Sequence, residues 1–373
     1  MLTSIHVSRS ALVRNVQIFQ KLLSPRVQLM AVVKSNAYGH GVKLCAPVFD
    51  HAGVQRFGTA SVSEALLLRK YVTRKPILAL SYVDVTDTEL RLAWKLGIRV
   101  PAYTMQMLKR FQKVARRSQS PVRMHLKVDT GTTRVGFQLH EMPSVIRYLK
   151  KCPKIMVEGI FSHFADAEGE STAFSSLQTK RFVKISQGLA QINKKRFLTH
   201  LSCSAGVFRF PEADFSMVRV GMSLYGIGTV TKQQAVSSRS GIDQLRPALS
   251  WYTQLIQVKD VPAGTSVGYG RTFRFQRAGK VGILPVGYWE GLDRRLSNKG
   301  SVSISGQRVP IRGRICMNLS MVDVTKVKRA KAGTPVELIG PHQPATKTAE
   351  LAGMIPYDFL TRLNPEIPRV LVP

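Results

Sequence analysis

Short β-rich runs alternate with helix-patterned stretches through the first 220 or so residues, and this alternation leaves few folds open. Runs of strand character occur at 27–33 (VQLMAVV), 56–60 (RFGTA), 76–80 (PILAL), 98–102 (IRVPA) and 122–129 (VRMHLKVD). Three more follow at 156–163 (MVEGIFSH), 198–202 (LTHLS) and 216–221 (SMVRVG). Between them lie stretches of helical period such as SVSEALLLRKYV, MQMLKRFQKVARR and SLQTKRFVKISQGLAQI. Eight strands, most followed by a helix, predict a (β/α)8 TIM-type barrel. Beyond about residue 230 the helical period fades. ALSWYTQLIQVKDV, KVGILPVGY, SVSISGQRVPIRGRICMNLSMVDV and TPVELIG are β-rich and broken by Gly and Pro. The expected organisation is an α/β barrel over 8–232 followed by a C-terminal mostly-β domain over 233–373. The short run near Ile5–Val7, within residues 1–7, is expected to join that β-domain.

The bulk properties narrow the class further. The chain has 373 residues, 44% of them hydrophobic, enough for one large domain and a smaller one. No apolar stretch approaches the roughly 18 residues that span a bilayer. The first 49 residues lack Asp and Glu and carry Ser8, Arg9, Ser10 and Arg14, which loosely mimics an organelle leader. They also contain a strand-like run and an amphipathic pattern that leads directly into the first core strand, so the segment reads as structural. Cys45, Cys152, Cys203 and Cys316 are far apart, with no metal-ligand spacing. That argues for a reducing, cytoplasmic compartment rather than a disulfide framework.

Charge is the unusual feature. Fifty-five basic against 22 acidic residues give a net +33. The basic residues are scattered in twos and threes, as at Arg116–Arg117, Lys150–Lys151, Lys194–Lys195–Arg196 and Arg294–Arg295. There is no basic tail, zinc-finger spacing or aromatic platform, which argues against nucleic acid as the partner. The charge remains suited to attracting small anions.

Catalytic groups in such barrels sit at the C-terminal ends of the strands, and a phosphate site often forms after strands 7 and 8. In AVVKSNAYGHG, Lys34 ends an apolar run, where a charged amine is costly unless solvated, paired or chemically used. Lys127 and Asp129 end strand 5, His163 ends strand 6, and Arg219 lies near the end of strand 8. Ser202 and Ser204 follow strand 7, and Gly221 and Met222 follow strand 8. Their hydroxyl and N–H groups can cradle a phosphate. A lysine facing a phosphate cradle inside a barrel points to pyridoxal 5'-phosphate held as a Schiff base. Taken singly, His163 reads as a core histidine and Arg219 or Lys127 as structural ion-pair partners. Their joint placement on one rim carries the functional reading.

These motifs resemble, nearly end to end, the alanine racemase family of pyridoxal-phosphate enzymes. AVVKSNAYGHG is similar to the family's cofactor-lysine segment, which makes Lys34 the cofactor lysine and one of two catalytic bases, with Tyr38 holding phosphate. VGYGRTF resembles the turn that carries the second base, Tyr269, supplied in the family by the partner subunit of a homodimer with shared sites. KVDTGTTRVGF resembles the segment in which a carboxylated lysine, Lys127, braces Arg134 against the substrate carboxylate. VRVGMSLYG implies Arg219 at the pyridine nitrogen and Gly221 and Met222 at the phosphate. Ser204 fits the phosphate serine, and His163 in FSHFAD fits the link between that arginine and the catalytic tyrosine. RICMNLSMVDV implies Met317 near the substrate carboxylate, PYDFLTRL implies Tyr357 as a phosphate ligand, and PVGYWEGL implies Tyr288 as a gate. The resemblance further implies interconversion of L- and D-alanine, supplying D-alanine for peptidoglycan, with no metal. Three positions depart from the family's habit: Asn318 for Asp, Thr132 for Met and Cys203 for Asn.

Racemisation requires a base on each face of the α-carbon, and Lys34 and Tyr269 come from different domains. Lysine and tyrosine ordinarily titrate near 10, so each needs a lowered pKa to act near neutrality. Cationic neighbours such as Arg219 would supply it, and His163 would add to it when protonated. Two alternatives stay open: a broad-specificity racemase, because the departures surround the expected site, and a decarboxylase of the same architecture, for which Cys316 is the residue of interest.

Overall fold

The computed structural model describes residues 2–72, 74–117, 121–190 and 197–373. Gln191, Ile192 and the Lys194–Lys195–Arg196 cluster lie outside the described residues. The chain divides into two compact units, one of residues 12–35 and 45–246, the other of residues up to 11, 36–44 and 247–373.

The first unit is the barrel. Its strands are β1 (Gln28–Val32), β2 (Arg56–Ser61), β3 (Ile77–Tyr82), β4 (Ile98–Ala102), β5 (Val122–Lys127), β6 (Ile155–Phe161), β7 (Leu198–His200) and β8 (Met217–Val220). All eight predicted runs are strands. They pair in parallel in the order 7-6-5-4-3-2-1-8. The sheet closes where Ser216 N donates to Thr199 O at 3.1 Å and Arg219 N donates to Ser202 O at 3.0 Å. Helices follow the strands, and side-chain caps start several of them. Ser61 accepts from Glu64 N before Val62–Arg69, Thr104 accepts from Met107 N before Met105–Arg116, and Thr86 with Glu89 forms a capping box before Asp87–Lys95. Leu29, Phe57, Ile77, Val100, Met124, Ile160 and Val218, one on each of seven strands, are all essentially inaccessible.

Strands β5, β6 and β7 each stop two residues before the end of the predicted run, for related reasons. Strand β5 stops at Lys127 because Asp129 N turns to Phe137 O at 2.9 Å. Beyond β6 and β7, the carbonyls of Ser162 and Leu201 accept from the Arg219 guanidinium at 2.7 and 3.0 Å. Backbone at the rim is thus committed to site residues rather than to ladder pairing.

The second unit is mostly β. Its main sheet orders the strands Gln307–Pro310, Ser301–Ile304, Pro335–Ile339, Leu249–Gln254, Ser4–Ser8 and Arg369–Val372. Ser4–Ser8 pairs antiparallel with Leu249–Gln254 and parallel with Arg369–Val372. A three-stranded sheet joins Gln257–Val261, Gly279–Leu284 and Ser320–Asp323. Among the described residues no helix is long and apolar enough to cross a membrane.

Candidate active site

The apolar strand β1 delivers Lys34 to the barrel rim. The turn that begins there, Lys34–Tyr38, is left-handed: Ser35, Asn36, Ala37 and Tyr38 have φ of 54, 53, 56 and 52°. Each L-residue in that region costs about 1–2 kcal/mol, so the turn requires specific restraints. Asn36 supplies two, accepting from Gly41 N through its carbonyl at 2.9 Å and from Val42 N through Oδ1 at 2.8 Å. Ala37 O accepts from His40 N at 3.0 Å. Glu64 binds Ser35 N at 2.8 Å and Ala60 N at 2.7 Å, which fixes its carboxylate beside the lysine. Burial lowers the Lys34 pKa, the Arg134 charge lowers it further, and Glu64 opposes both. A lysine of lowered pKa is a nucleophilic amine, the form that condenses with a carbonyl.

Strands β5 and β8 add further cations, and β6 leads to His163. Lys127 donates to Leu80 O at 2.9 Å, and its amine is pushed down to about 7, first by burial and then by Arg134, Arg219 and Lys34. Asp129 is the acidic neighbour, but its oxygens are occupied by the N–H groups of Gly131, Thr132, Thr133 and Arg134 at 2.8–3.1 Å. Arg219 is buried. It donates to His200 Nδ1 at 2.9 Å, His163 Nδ1 at 3.2 Å, and the Ser162 and Leu201 carbonyls. Lys127 and Arg219 both lie over the Phe161 ring, at 5.4 and 5.6 Å from its centroid. Burial, then Arg219, Arg134, Lys127 and Lys34, hold His163 well below its ordinary pKa, so its ring is neutral.

After β7, Ser204 opens the short helix Ser204–Arg209, and its Oγ accepts from Gly221 N at 3.1 Å. Met222 begins the 3-10 turn Met222–Tyr225, whose first N–H groups lack intrahelical acceptors by construction. This donor set fits pyridoxal phosphate in three respects: an amine of lowered pKa, a hydroxyl and amide cluster suited to phosphate, and a group of mutually repelling cations that an anion would relieve.

In the β-unit, the buried Tyr38 ring meets the Tyr357 ring edge-on at 6.2 Å. Tyr288 and Met317 are brought together by Tyr288 N donating to Cys316 O and Trp289 N donating to Met317 O, at 3.0 and 2.9 Å. Only glycine fits at 287, because a Cβ there would lie 2.2 Å from Cys316 O. Tyr269 sits on an exposed turn between Gly268 and Gly270, both at positive φ. It is 72% accessible, against 56% for Met317 and 43% for Tyr288, and so is free to meet another molecule. Of the three departures, Asn318 donates to Glu290 Oε1 at 2.9 Å and Thr132 donates to His163 O at 2.8 Å. Sequence reasoning missed His200, His125 and Glu64. The period-2 alternation that places Lys127 inside the barrel also places His125 there, and that was the available signal.

Comparison with known proteins agrees with this geometry. Residues 7–229 match the model of the alanine racemase N-terminal domain, and 248–371 that of the alanine racemase C-terminal domain. The alanine racemase of Leptospira interrogans is 35% identical, over 99% of this chain and 95% of its own. The crystal structure of alanine racemase from D-cycloserine-producing Streptomyces lavendulae superposes with a TM-score of 0.91 at 30% identity, covering 100% of this chain and 97% of that one. The Bartonella henselae alanine racemase, solved with covalently bound pyridoxal phosphate, gives a TM-score of 0.88 at 27% identity over all of both chains. Matched through both domain models and over nearly its whole length, the chain belongs to the alanine racemase family of isomerases.

Proposed function

We propose that this protein interconverts L- and D-alanine with pyridoxal phosphate, using Lys34 and Tyr269 as bases on opposite faces of the substrate. The barrel, taken as 8–232, would hold the cofactor, and the β-domain, 233–373 with 1–7, would supply Tyr269 to a second subunit of a homodimer. The observation that carries this reading is Lys34, its pKa lowered, on the same rim as an Arg219 that is tethered to His163. The cofactor would be held by Lys34, by Ser204, Gly221, Met222, Tyr38 and Tyr357 at its phosphate, and by Arg219 at its pyridine nitrogen. Bound there, pyridoxal phosphate supplies the electron sink that makes an amino acid's Cα–H acidic.

The chain's own groups then handle the protons. A neutral Lys34 removes or returns the α-proton on its face, and Tyr269 does the reverse on the other. His163 accepts from Arg219 through Nδ1, so its neutral ring carries its proton on Nε2 and can donate to the Tyr269 oxygen. Arg219 has only donors and stays protonated, so it hands no proton to the pyridine nitrogen. Its cation there keeps the electron sink weaker than a carboxylate partner would, which limits side reactions. Arg134 and the Met317 backbone would hold the substrate carboxylate, with Lys127, as a carbamate, bracing Arg134, and Tyr288 would line the approach. The four free thiols support a reducing, cytoplasmic setting in which the D-alanine serves peptidoglycan synthesis.

The test is proton NMR in D2O with added pyridoxal phosphate and a mixture of L-amino acids. Loss of the α-proton signal of alanine, with D-alanine formed, is the expected result. Exchange across many amino acids would make it a broad-specificity racemase, amines would make it a decarboxylase, and no exchange would overturn the roles given to Lys34 and Tyr269.

A further inference from the structure

We propose that Glu158 and His125 are positioning residues for Arg219, ending a one-way chain, Arg219 to His200 to His125 to Glu158, that runs through the barrel interior away from the rim. Arg219 Nη1 lies 2.9 Å from His200 Nδ1, and His200 Nε2 lies 2.9 Å from His125 Nδ1. His125 Nε2 is buried, has no hydrogen-bond partner among the described residues, and faces Glu158 Oε1 at 4.0 Å. That last separation is too long for a hydrogen bond and acts as charge on dipole.

The direction of every proton follows from Arg219. A guanidinium only donates, so His200 Nδ1 must accept. A neutral His200 then carries its proton on Nε2 and donates to His125 Nδ1. A neutral His125 in turn carries its proton on Nε2, pointed at Glu158. Burial lowers the pKa of both histidines, which keeps both rings neutral. Reversing the chain would set an N–H of His200 against the N–H groups of Arg219 and point a bare His125 nitrogen at a carboxylate. Both ends oppose it.

The local structure is built to hold the far end. His125 pairs with Gly159 but Met124 pairs with Val157, so Glu158 is the extra residue of a β-bulge, a device that re-aims a side chain. Its carboxylate takes Arg56 at 2.6 Å, Arg99 through both oxygens at 3.0–3.1 Å, and Arg123 at 3.4 Å. Burial would raise its pKa, but His125, Arg99 and Arg56 outweigh this and hold it well below the usual carboxylate range. Gly159 is as specific: a Cβ there would lie 2.6 Å from the His125 ring. His200 is stacked on Phe161 with centroids 4.8 Å apart and planes 3° from parallel. Arg219 is thereby gripped by a ring that can neither rotate nor change tautomer.

The importance of Arg219 to catalysis rests on the function proposed above, but the tautomers do not, so they are read first and without turnover. The chain has eight histidines, few enough to assign by single replacement. Long-range proton–nitrogen NMR on the holoenzyme labelled with 15N-histidine should show His200 and His125 neutral, each with its proton on Nε2. A proton on Nδ1 of either, or a cationic ring, would overturn the proposal. Next, His125→Leu should reduce kcat on the order of tenfold with little change in KM, the scale seen when outer-shell partners are lost, and should shift the His200 nitrogens. His125→Gln, which can accept from His200 and donate toward Glu158, should recover most of the rate. Glu158→Gln, which removes the charge facing His125 Nε2, should shift the His125 nitrogens while its proton stays on Nε2, because Arg219 sets the tautomer. If that variant does not fold, the His125 pair decides the matter: equal rates for Leu and Gln, with His200 unmoved, would reduce the chain to packing.

Discussion

Thr132 donates through Oγ1 to the carbonyl of His163 at 2.8 Å. Thr132 is one of the three positions where the resemblance leads to a different expectation, methionine, and its hydroxyl is what makes the tie. It acts on the residue proposed to pass Arg219's influence to the second base. The same carbonyl also accepts from Gln178 Nε2 at 3.0 Å, so one tie survives if the other is cut. A neutral hydrogen bond contributes about 0.5–1.5 kcal/mol, and with a backup the effect falls at the low end. Thr132→Ala should lower kcat/KM roughly two- to fivefold, with Thr132→Ser near wild type. Equal rates for all three would remove Thr132 from the mechanism.

The Lys127 amine gives a pH signature. It titrates at about 7 in the folded chain against 10.5 for an ordinary lysine. Between those values the unfolded chain binds more protons, so folding stability rises with pH across the window. Below about 7 the burial of the charged amine costs its full amount. Urea unfolding in CO2-free buffer should therefore show wild type gaining stability relative to Lys127→Met from neutrality to pH 10. Parallel curves would contradict the depressed pKa. In bicarbonate, the neutral amine is the form that adds CO2. A carbamate carbon from 13C-bicarbonate, seen by NMR in wild type and absent in Lys127→Met, would establish the modification.

Sharing of sites between subunits can be read from two dead variants. Lys34→Ala and Tyr269→Phe should each lose racemisation by at least the 10²–10⁴ typical of a positioned proton-transfer group. Tyr269→Phe should still exchange the α-proton of one enantiomer, because the Lys34 face remains. If the two are unfolded together and refolded, mixed dimers carry one intact site. Activity should return to roughly a quarter of wild type, the share expected for random pairing in a two-fold dimer. No recovery would mean that Lys34 and Tyr269 act within one chain.

Gly39 tests the backbone of the cofactor-lysine segment. It sits at φ +83°, and a Cβ there would lie 2.2 Å from Leu360 O. Gly333 has a similar φ of +86° with nothing within 4 Å. Gly39→Ala and Gly333→Ala should share the positive-φ cost of about 1 kcal/mol, and only the first should lose more. Thermal unfolding followed by circular dichroism would measure both; equal losses would mean that the Leu360 contact relaxes freely.

The barrel was legible because its eight runs are short, strand-like and mostly separated by helix-patterned stretches, and the rim residues followed from where those runs end. Lys127, Arg219 and Ser204 are placed by that rule alone. The left-handed turn was not legible. Ser35, Asn36, Ala37 and Tyr38 include no glycine, and what holds them is the return of Gly41 and Val42 onto Asn36. His125 and His200 were passed over because an inward polar residue in a strand is visible only when its partner on another strand is known. Glu158 needed still more: a bulge, which depends on the register between two strands and leaves no mark in either one. Tyr38 meets Tyr357 across 319 positions of chain, as the numbering shows, beyond the reach of any local pattern.

The strand Ser4–Ser8 sets a timetable for making the protein. Ile5 lies opposite Arg369 in the register of its sheet, and Val7 opposite Leu249. Both neighbours are therefore translated long after it. At about 5–20 residues per second, the ribosome needs on the order of twenty to seventy seconds to bring Arg369 out. Until Leu249 emerges the strand has neither neighbour, and until Arg369 emerges it has only one, while the barrel that follows can already form. Final assembly of the β-unit thus waits until Arg369 has emerged from the ribosome. A chaperone that shelters Ser4–Ser8 in the meantime would serve the assembly of the β-unit.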